Sequence, residues 1–283
     1  MHCRSAGLQT LDSRLWTFSS VFSLILAVCL GGCATLRLSQ PAPPPAVLPS
    51  AQELLTRLDA RRQSLTSLRG LARVVYTDPR DRGTAKQAVA VAAPDRFRLE
   101  LFSPIGIVSL ITCDGRALAA YFPQEKTIYR GAATPLNAAR FTRVMLSARE
   151  IASLLLGLPI LPLDSAAGTV GFDADRGWFR LDFPLPGGGT YMLWFAQKTL
   201  LLTRWEMLTS DGTVLARVSL ADYRRVNDQD FPFEIALSDP QGKQEASVYY
   251  ERVELPPRLP DSLFTLAPIA GVQEVDVDAL AVE

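Results

Sequence analysis

The sequence is poor in the groups that ordinary enzymes use. Among 283 residues there is one histidine, His2, at the extreme amino end. A Ser-His nucleophile, a His-ligated metal and a histidine proton shuttle are therefore excluded from the rest of the chain. Cysteine is scarce as well. Cys3, Cys29 and Cys33 cluster near the amino end and only Cys113 follows, so no internal disulfide framework is available. Neither sign of charge is in excess: 29 basic and 29 acidic residues balance, and no basic field directs the chain to nucleic acid. What the chain does have is apolar residues, at 48%, which is enough for a sizeable core and too many for a disordered chain.

Leu15 to Leu30 form an apolar run of sixteen residues behind Arg4 and Arg14. That is short of the roughly 20 residues of a membrane span and suits the apolar region of a signal peptide. The run ends in Leu30-Gly31-Gly32-Cys33, and small residues directly before a cysteine resemble a bacterial lipobox. Residues 1–32 then read as a lipoprotein signal peptide and Cys33 as the lipidated residue; a plain transmembrane anchor with an incidental cysteine is the alternative. Several acyl chains on one cysteine anchor a protein stably. Position 34 is Ala rather than Asp, which by resemblance to enterobacterial sorting rules places the chain on the periplasmic side of the outer membrane. Residues 33–49 make a tether, with five prolines between 36 and 49 favouring an extended, semi-rigid spacer.

The domain is expected over residues 50–270, with 271–283 as a carboxyl tail. Ser50 and Glu53 have the spacing of a capping box, and Leu54, Leu55, Leu58 and Leu65 recur at helical spacing, predicting a helix over 51–66. Beyond it the period changes to two. Strand-like segments occur at 70–77, 84–93, 95–101, 107–113, 116–122, 125–130, 168–174, 177–184, 190–196, 199–209, 213–223, 231–238 and 244–254. Asp114-Gly115, Ser210-Asp211-Gly212 and similar turn signals separate them at short spacing, which implies antiparallel neighbours. Residues 131–146 read as loop. Ser147 and Glu150 then repeat the capping-box pattern before Ile151, Leu154, Leu155 and Leu156, with Gly157 and Pro159 to end the helix. A helix this apolar needs burial on most sides.

Together these elements predict a mainly β fold with α: an unclosed antiparallel β-barrel of about 11–12 strands, with helices covering its concave apolar face. Such a shell suits an apolar ligand. Candidate acyl-chain wall residues are Phe97, Leu99, Leu101, Val108, Leu110, Phe179, Leu181, Phe183, Leu193, Trp194 and Trp205, with Leu154, Leu155 and Leu158 on the lid. The same residues also suit an ordinary dry core, and composition leaves both readings open.

Segment 94–110 (PDRFRLELFSPIGIVSL) resembles the outer-membrane lipoprotein receptor family LolB, in which a Tyr/Phe-Arg-Leu strand runs into a Pro-Leu-Gly loop. Ser147 to Pro159, ending Leu-Leu-Leu-Gly-Leu-Pro, is similar to the helix of that family, in the same order and spacing. The stretch from Leu259 through Phe264 to Pro268 looks more like the related LolA-like carriers. The resemblance implies an unclosed barrel that accepts the acyl chains of lipoproteins from a periplasmic LolA-like carrier and passes them to the outer membrane, as a monomer, without cofactor, metal or catalysis. It also implies a membrane-inserting loop at Pro104, Ile105 and Gly106. An aliphatic tip on a Pro-Gly turn can enter a bilayer surface, although Ile105 could equally tuck under the sheet as a staple. The sequence departs from the receptor at the second helix, where Ala152 and Ser153 stand near the place of a tryptophan. Carriage of another lipid, or a structural role in an envelope complex with a filled core, is compatible with the same pattern.

The remaining motifs read as structure. The pairs Asp173/Asp175 and Asp228/Asp230 lack the ligand set of a calcium loop and suit turns. Gly187-Gly188-Gly189 lacks the Lys-Ser/Thr of a phosphate loop. Arg57, Arg61 and Arg62 suit a solvated helix face, and Cys113 suits a small apolar filler.

Overall fold

The computed structural model describes residues 44–77, 79, 81–160, 168–186, 188–239 and 244–280, all within one compact unit. Cys33, residues 1–32 expected as a signal peptide, and Gly187 lie outside the described residues.

Helix α1 (Ala51–Ser64) begins where the sequence places it. The Ser50 side chain accepts from the Glu53 amide at 3.1 Å, but the Glu53 carboxylate turns to Arg57 at 3.4 Å, so only half of the capping box forms. Leu54 and Leu58 bury the helix against the sheet. Helix α3 (Ala148–Leu155) has the complete box, with Ser147 and Glu150 each satisfying the other's amide. Gly157 then closes it at φ +66°, where a side chain would strike Pro232.

Residues 131–146 hold a helix that the sequence reading assigned to loop. Helix α2 (Pro135–Thr142) has Thr134 as its cap, accepting from the Asn137 amide at 3.2 Å, and proline in its first turn. Both signals are in the sequence, but eight residues with a short apolar stripe fall below the length at which periodicity is visible.

The strands are β1 (Ser67–Thr77), β2 (Arg82–Ala92), β3 (Arg96–Ser103), β4 (Gly106–Cys113), β5 (Ala117–Phe122), β6 (Thr127–Ala132), β7 (Thr169–Asp173), β8 (Trp178–Pro184), β9 (Thr190–Ala196), β10 (Leu202–Leu208), β11 (Val214–Val226), β12 (Gln229–Asp239), β13 (Gln244–Glu254) and β14 (Gln273–Asp276). They form one sheet in the order β14-β6-β5-β4-β3-β2-β1-β13-β12-β11-β10-β9-β8-β7. β14 and β7 are its two edges, so the barrel is not closed. Each strand-like segment of the sequence overlaps one of these strands, and fourteen strands exceed the 11–12 expected. β14, the one described strand outside the thirteen strand-like segments, runs parallel to β6 from within residues 271–283.

Two antiparallel meanders, β1–β6 and β7–β13, meet at a seam between β1 and β13. The α1, α2 and α3 helices pack on one face in a single apolar core with Leu68, Val89, Phe97, Ile111, Leu181 and Leu193. On the opposite face a 3-10 turn (Asp261–Phe264) sets Phe264 and Leu259 over Ala90 and Ala92.

Candidate functional site

Because strand neighbours alternate in direction, the turns after β3, β5 and β10 lie at one end of the open barrel, with the β1–β2 connection beside them. Strand pairing decides which side chains face the helices, since directly opposed residues share a face. Phe97 stands opposite Val91 and Cys113, and Leu99 opposite Val89 and Ile111. In the other meander, Leu181 stands opposite Leu193, which stands opposite Trp205; Phe179 faces Phe195, and Phe183 faces Tyr191. Phe97, Leu99, Phe179, Leu181, Phe183, Leu193, Trp205, Leu155 and Leu158 therefore converge in the core beneath the helices, with Leu154 half-buried at its margin. Leu101 shares the phase of Leu99 but lies nearer the turn end, where it is half-buried.

Three expected wall residues face the other way. Leu110 stands opposite Glu100 and Tyr121, on the convex face, and Val108 shares its phase along β4. Trp194 stands between Arg180 and Arg204. The Arg204 guanidinium lies 6.0 Å from the ring centre of Trp194 and 5.8 Å from that of Trp178. Burial lowers the Arg204 pKa, and Glu206, buried beneath the convex surface at 3.5 Å from Arg204 and 2.5 Å from Arg217, opposes that shift. The period-two rule carried the signal for Trp194. Leu193 and Trp194 are adjacent and cannot share a face. Tyr191, Phe195, Val218 and Ile235 are among the inner residues outside the candidate list.

At the turn end the inner face loosens. Val74, Gln87, Leu101, Met207, Ala216 and Leu237 share the inner phase of the strands yet are only half-buried. Ile105 projects from the β3–β4 turn and is 87% exposed; it does not tuck under the sheet as a staple. Gly106 follows at φ +130° with nothing near the position of a Cβ, so the tip stands clear of the protein. Ser103 closes the turn, its hydroxyl donating to the Gly106 carbonyl at 3.2 Å. Ile107 on the same hairpin is also exposed, at 42%, and Met145 in the α2–α3 connection reaches 64%.

That connection is held to the β1–β2 turn. The Tyr76 hydroxyl donates to Asp81 Oδ2 at 2.8 Å, and Arg143 Nη1 lies 3.5 Å from the same oxygen. The Arg143 guanidinium covers the Tyr76 ring at 4.8 Å. The cluster closes the helical cover over the turn end.

The remaining motifs settle into structural roles, with one correction. Asp173 accepts from the Arg176 amide at 3.1 Å and caps its turn. Cys113 is buried and burial pushes its thiol up to about 11. Arg57 and Arg62 pair along α1, but Arg61 is not on a solvated face. It covers Tyr223 at 5.5 Å, donates to the Asp230 carbonyl at 2.5 Å, and has its pKa lowered by burial. Among the described residues no cluster of His, Cys, Asp and Glu is placed to hold a metal. A groove of about 310 Å³ lies on the convex face between Arg69, Arg98 and Arg252, over Ala88 and Ala90.

No family model matches the sequence, and no curated protein matches it. Solved structures do match in fold. A LolA superfamily protein from Nitrosomonas europaea is 16% identical with a TM-score of 0.51, over 77% of this chain and 99% of the other. A DUF1329 family protein from Desulfovibrio piger is 13% identical with a TM-score of 0.55, over 76% and 95%. A domain described as outer membrane lipoprotein-sorting, from Vibrio parahaemolyticus, is 12% identical with a TM-score of 0.54, over 76% and 97%. At these identities the likeness is one of fold, an open half-barrel, with nothing that singles out LolB.

Proposed function

We propose that the chain is an envelope lipoprotein that takes acyl chains of lipoproteins or other lipids under its helical cover and delivers them to the outer membrane. The observation that carries this reading is the coincidence, at one end of the half-barrel, of a half-buried inner apolar rim and a bare aliphatic tip at Ile105. The LolA-type fold of its structural neighbours supports the same reading. Cys33 supplies the anchor in this account, with Pro104 and Gly106 holding the tip that enters the bilayer.

The inner face is apolar, so affinity needs no charged partner. At about 25 cal/mol per Å², burying about 300 Å² of hydrocarbon stabilises the complex by about 7.5 kcal/mol before ordering costs. Delivery is downhill because a bilayer surrounds the whole chain and the half-barrel only part of it. A fluorescent acyl lipid carried to acceptor vesicles tests the tip. Ile105→Glu is expected to keep the fold and lipid binding while slowing delivery at least tenfold. Unchanged delivery removes Ile105 from the mechanism.

A second reading has one observation in its favour. Phe97, Leu181, Phe183 and Leu193 are packed by the chain's own side chains, as in an ordinary core. On that reading the protein is an interaction module of an envelope complex, and it binds no acyl probe.

A further inference from the structure

The groove on the convex face is built from four neighbouring strands. Arg69 on β1 stands between Glu254 on β13 and Ala90 on β2, and Ala90 stands opposite Arg98 on β3. One step along, the row is Arg252, Leu71, Ala88 and Glu100. Three strand spacings of about 4.8 Å make the groove about 14 Å long across the strands, the reach of about four extended residues. Leu263 of the 3-10 turn forms one of its walls.

The charges along it are unevenly committed. Arg98 is engaged, its Nε donating to Glu100 Oε1 at 2.5 Å and its Nη1 to the Leu263 carbonyl at 3.3 Å. Arg69, Arg252 and Glu254 are exposed, and their side chains have no hydrogen bond or ion pair among the described residues. Two positive charges and one negative are therefore available to a partner.

The chain itself shows what arginines hold on this face. Beside the groove, the segment after β13 crosses the same strands, with Leu259 and Phe264 over Ala90 and Ala92. Arg96 donates to the Asp261 carboxylate of that segment at 2.5 Å, and Arg98 to its Leu263 carbonyl. One acidic stretch of crossing backbone is thus already held by arginines of β3, and the adjoining rows offer the same chemistry.

We propose that this groove docks an extended acidic segment of a partner protein, laid beside the chain's own crossing segment. Arg69 and Arg252 take its carboxylates, and Glu254 accepts from one of its backbone amides. A free phosphate suits the groove less, because Glu100 and Glu254 stand among the arginines and repel a dianion. The groove lies on the face opposite the helices, so docking there is independent of what the inner face carries.

Fluorescence anisotropy on the purified full-length chain tests this with three octapeptides, alternating Glu-Ala, Gln-Ala and Lys-Ala repeats that carry the same rhodamine. The native chain is expected to bind the Glu-Ala peptide about tenfold more tightly than the Gln-Ala peptide, as two exposed charge pairs allow. The double variant Arg69→Glu, Arg252→Glu should lose that preference and favour the Lys-Ala peptide, which also shows that its groove is intact. Arg57→Glu with Arg149→Glu, an equal change of charge on helices of the other face, should leave binding unchanged. A native chain indifferent to peptide charge, a preference that survives the reversal, or an equal loss in the helix variant overturns the assignment. So does inorganic phosphate that binds more tightly than the acidic peptide, the mark of a small-anion site.

Discussion

The hydroxyl of Tyr250 donates to the carbonyl oxygen of Leu155 at 3.0 Å in the middle of the core. Through that one bond β13 holds the last turn of α3, whose carbonyls have no partner within the helix. Residue 70, across the β1–β13 seam, is glycine: a Cβ there would lie 2.9 Å from the Arg252 carbonyl oxygen and 3.2 Å from the Tyr250 ring. Phe231 meets the same ring edge-on at 5.4 Å.

Tyr250→Phe is expected to lower stability by about 1–2 kcal/mol, the cost of leaving a buried carbonyl unpaired with little change in packing. Urea unfolding checks it. A loss below about 0.5 kcal/mol would mean that α3 is not held to the seam in this way. Gly70→Ala should destabilise by a similar or greater amount, because its Cβ presses on the Arg252 carbonyl and the Tyr250 ring.

Trp194→Ala and Leu193→Ala separate the two faces of β9. Trp194 lies over Arg204 on the convex face, so its loss is expected to reduce stability while leaving acyl-probe affinity unchanged. Leu193→Ala enlarges the inner face and should alter affinity as well as cost about 2–4 kcal/mol of stability. If Trp194→Ala abolished probe binding in a folded protein, the assignment of faces would be wrong.

Much of this architecture is legible in the sequence, and the failures have physical causes. The strands of both meanders are written in alternation, and α1 and α3 in their caps. α2 escapes because a single short amphipathic turn pair has no periodicity to detect. β14 escapes because four edge residues, Gln273 to Asp276, do not alternate strongly enough to be marked. The pairing of β1 with β13 joins residues far apart in the chain, and nothing local encodes it. Among site residues, inner and outer positions alternate unambiguously within a strand, but which phase faces inward depends on the register and on bulges such as that at Leu101/Phe102. Phe97 and Leu99 face the helices, whereas Leu110, opposite Glu100 in the same register, and Val108, at the bulge, do not.

Cys113 gives a pH signature. Burial raises its pKa from 9.0 to about 11, so the folded state holds the proton more tightly than the unfolded state. The stability this contributes is complete below about pH 9 and is lost as pH rises through about 11. In urea titrations at pH 8 and pH 10.5 the native chain should lose more stability than Cys113→Ala. In the folded protein at pH 8, the Cys113 peptide should stay unalkylated by iodoacetamide and react only after denaturation. Rapid alkylation of the folded chain would contradict the burial.

The Tyr76, Asp81 and Arg143 cluster is expected to limit lipid access. Arg143→Ala removes the cation over the Tyr76 ring and its ion pair with Asp81, and should speed uptake of a fluorescent acyl probe severalfold in stopped-flow traces with little change in stability. High salt should have a smaller effect in the same direction, because the pair is partly exposed. An uptake rate indifferent to both changes would place the opening elsewhere.

Lipid analysis of the purified full-length chain bears most directly on whether the inner face holds a guest. Solvent extraction releases non-covalent lipid and leaves any lipid attached to Cys33 on the polypeptide, so mass spectrometry of the extract counts guests alone. Acyl lipid approaching one molecule per chain, reduced in a variant that fills the inner face such as Ala216→Phe, is the predicted result. An extract free of acyl lipid, from a protein that also takes up no added acyl probe, would contradict the carrier account and leave the filled core as its only explanation.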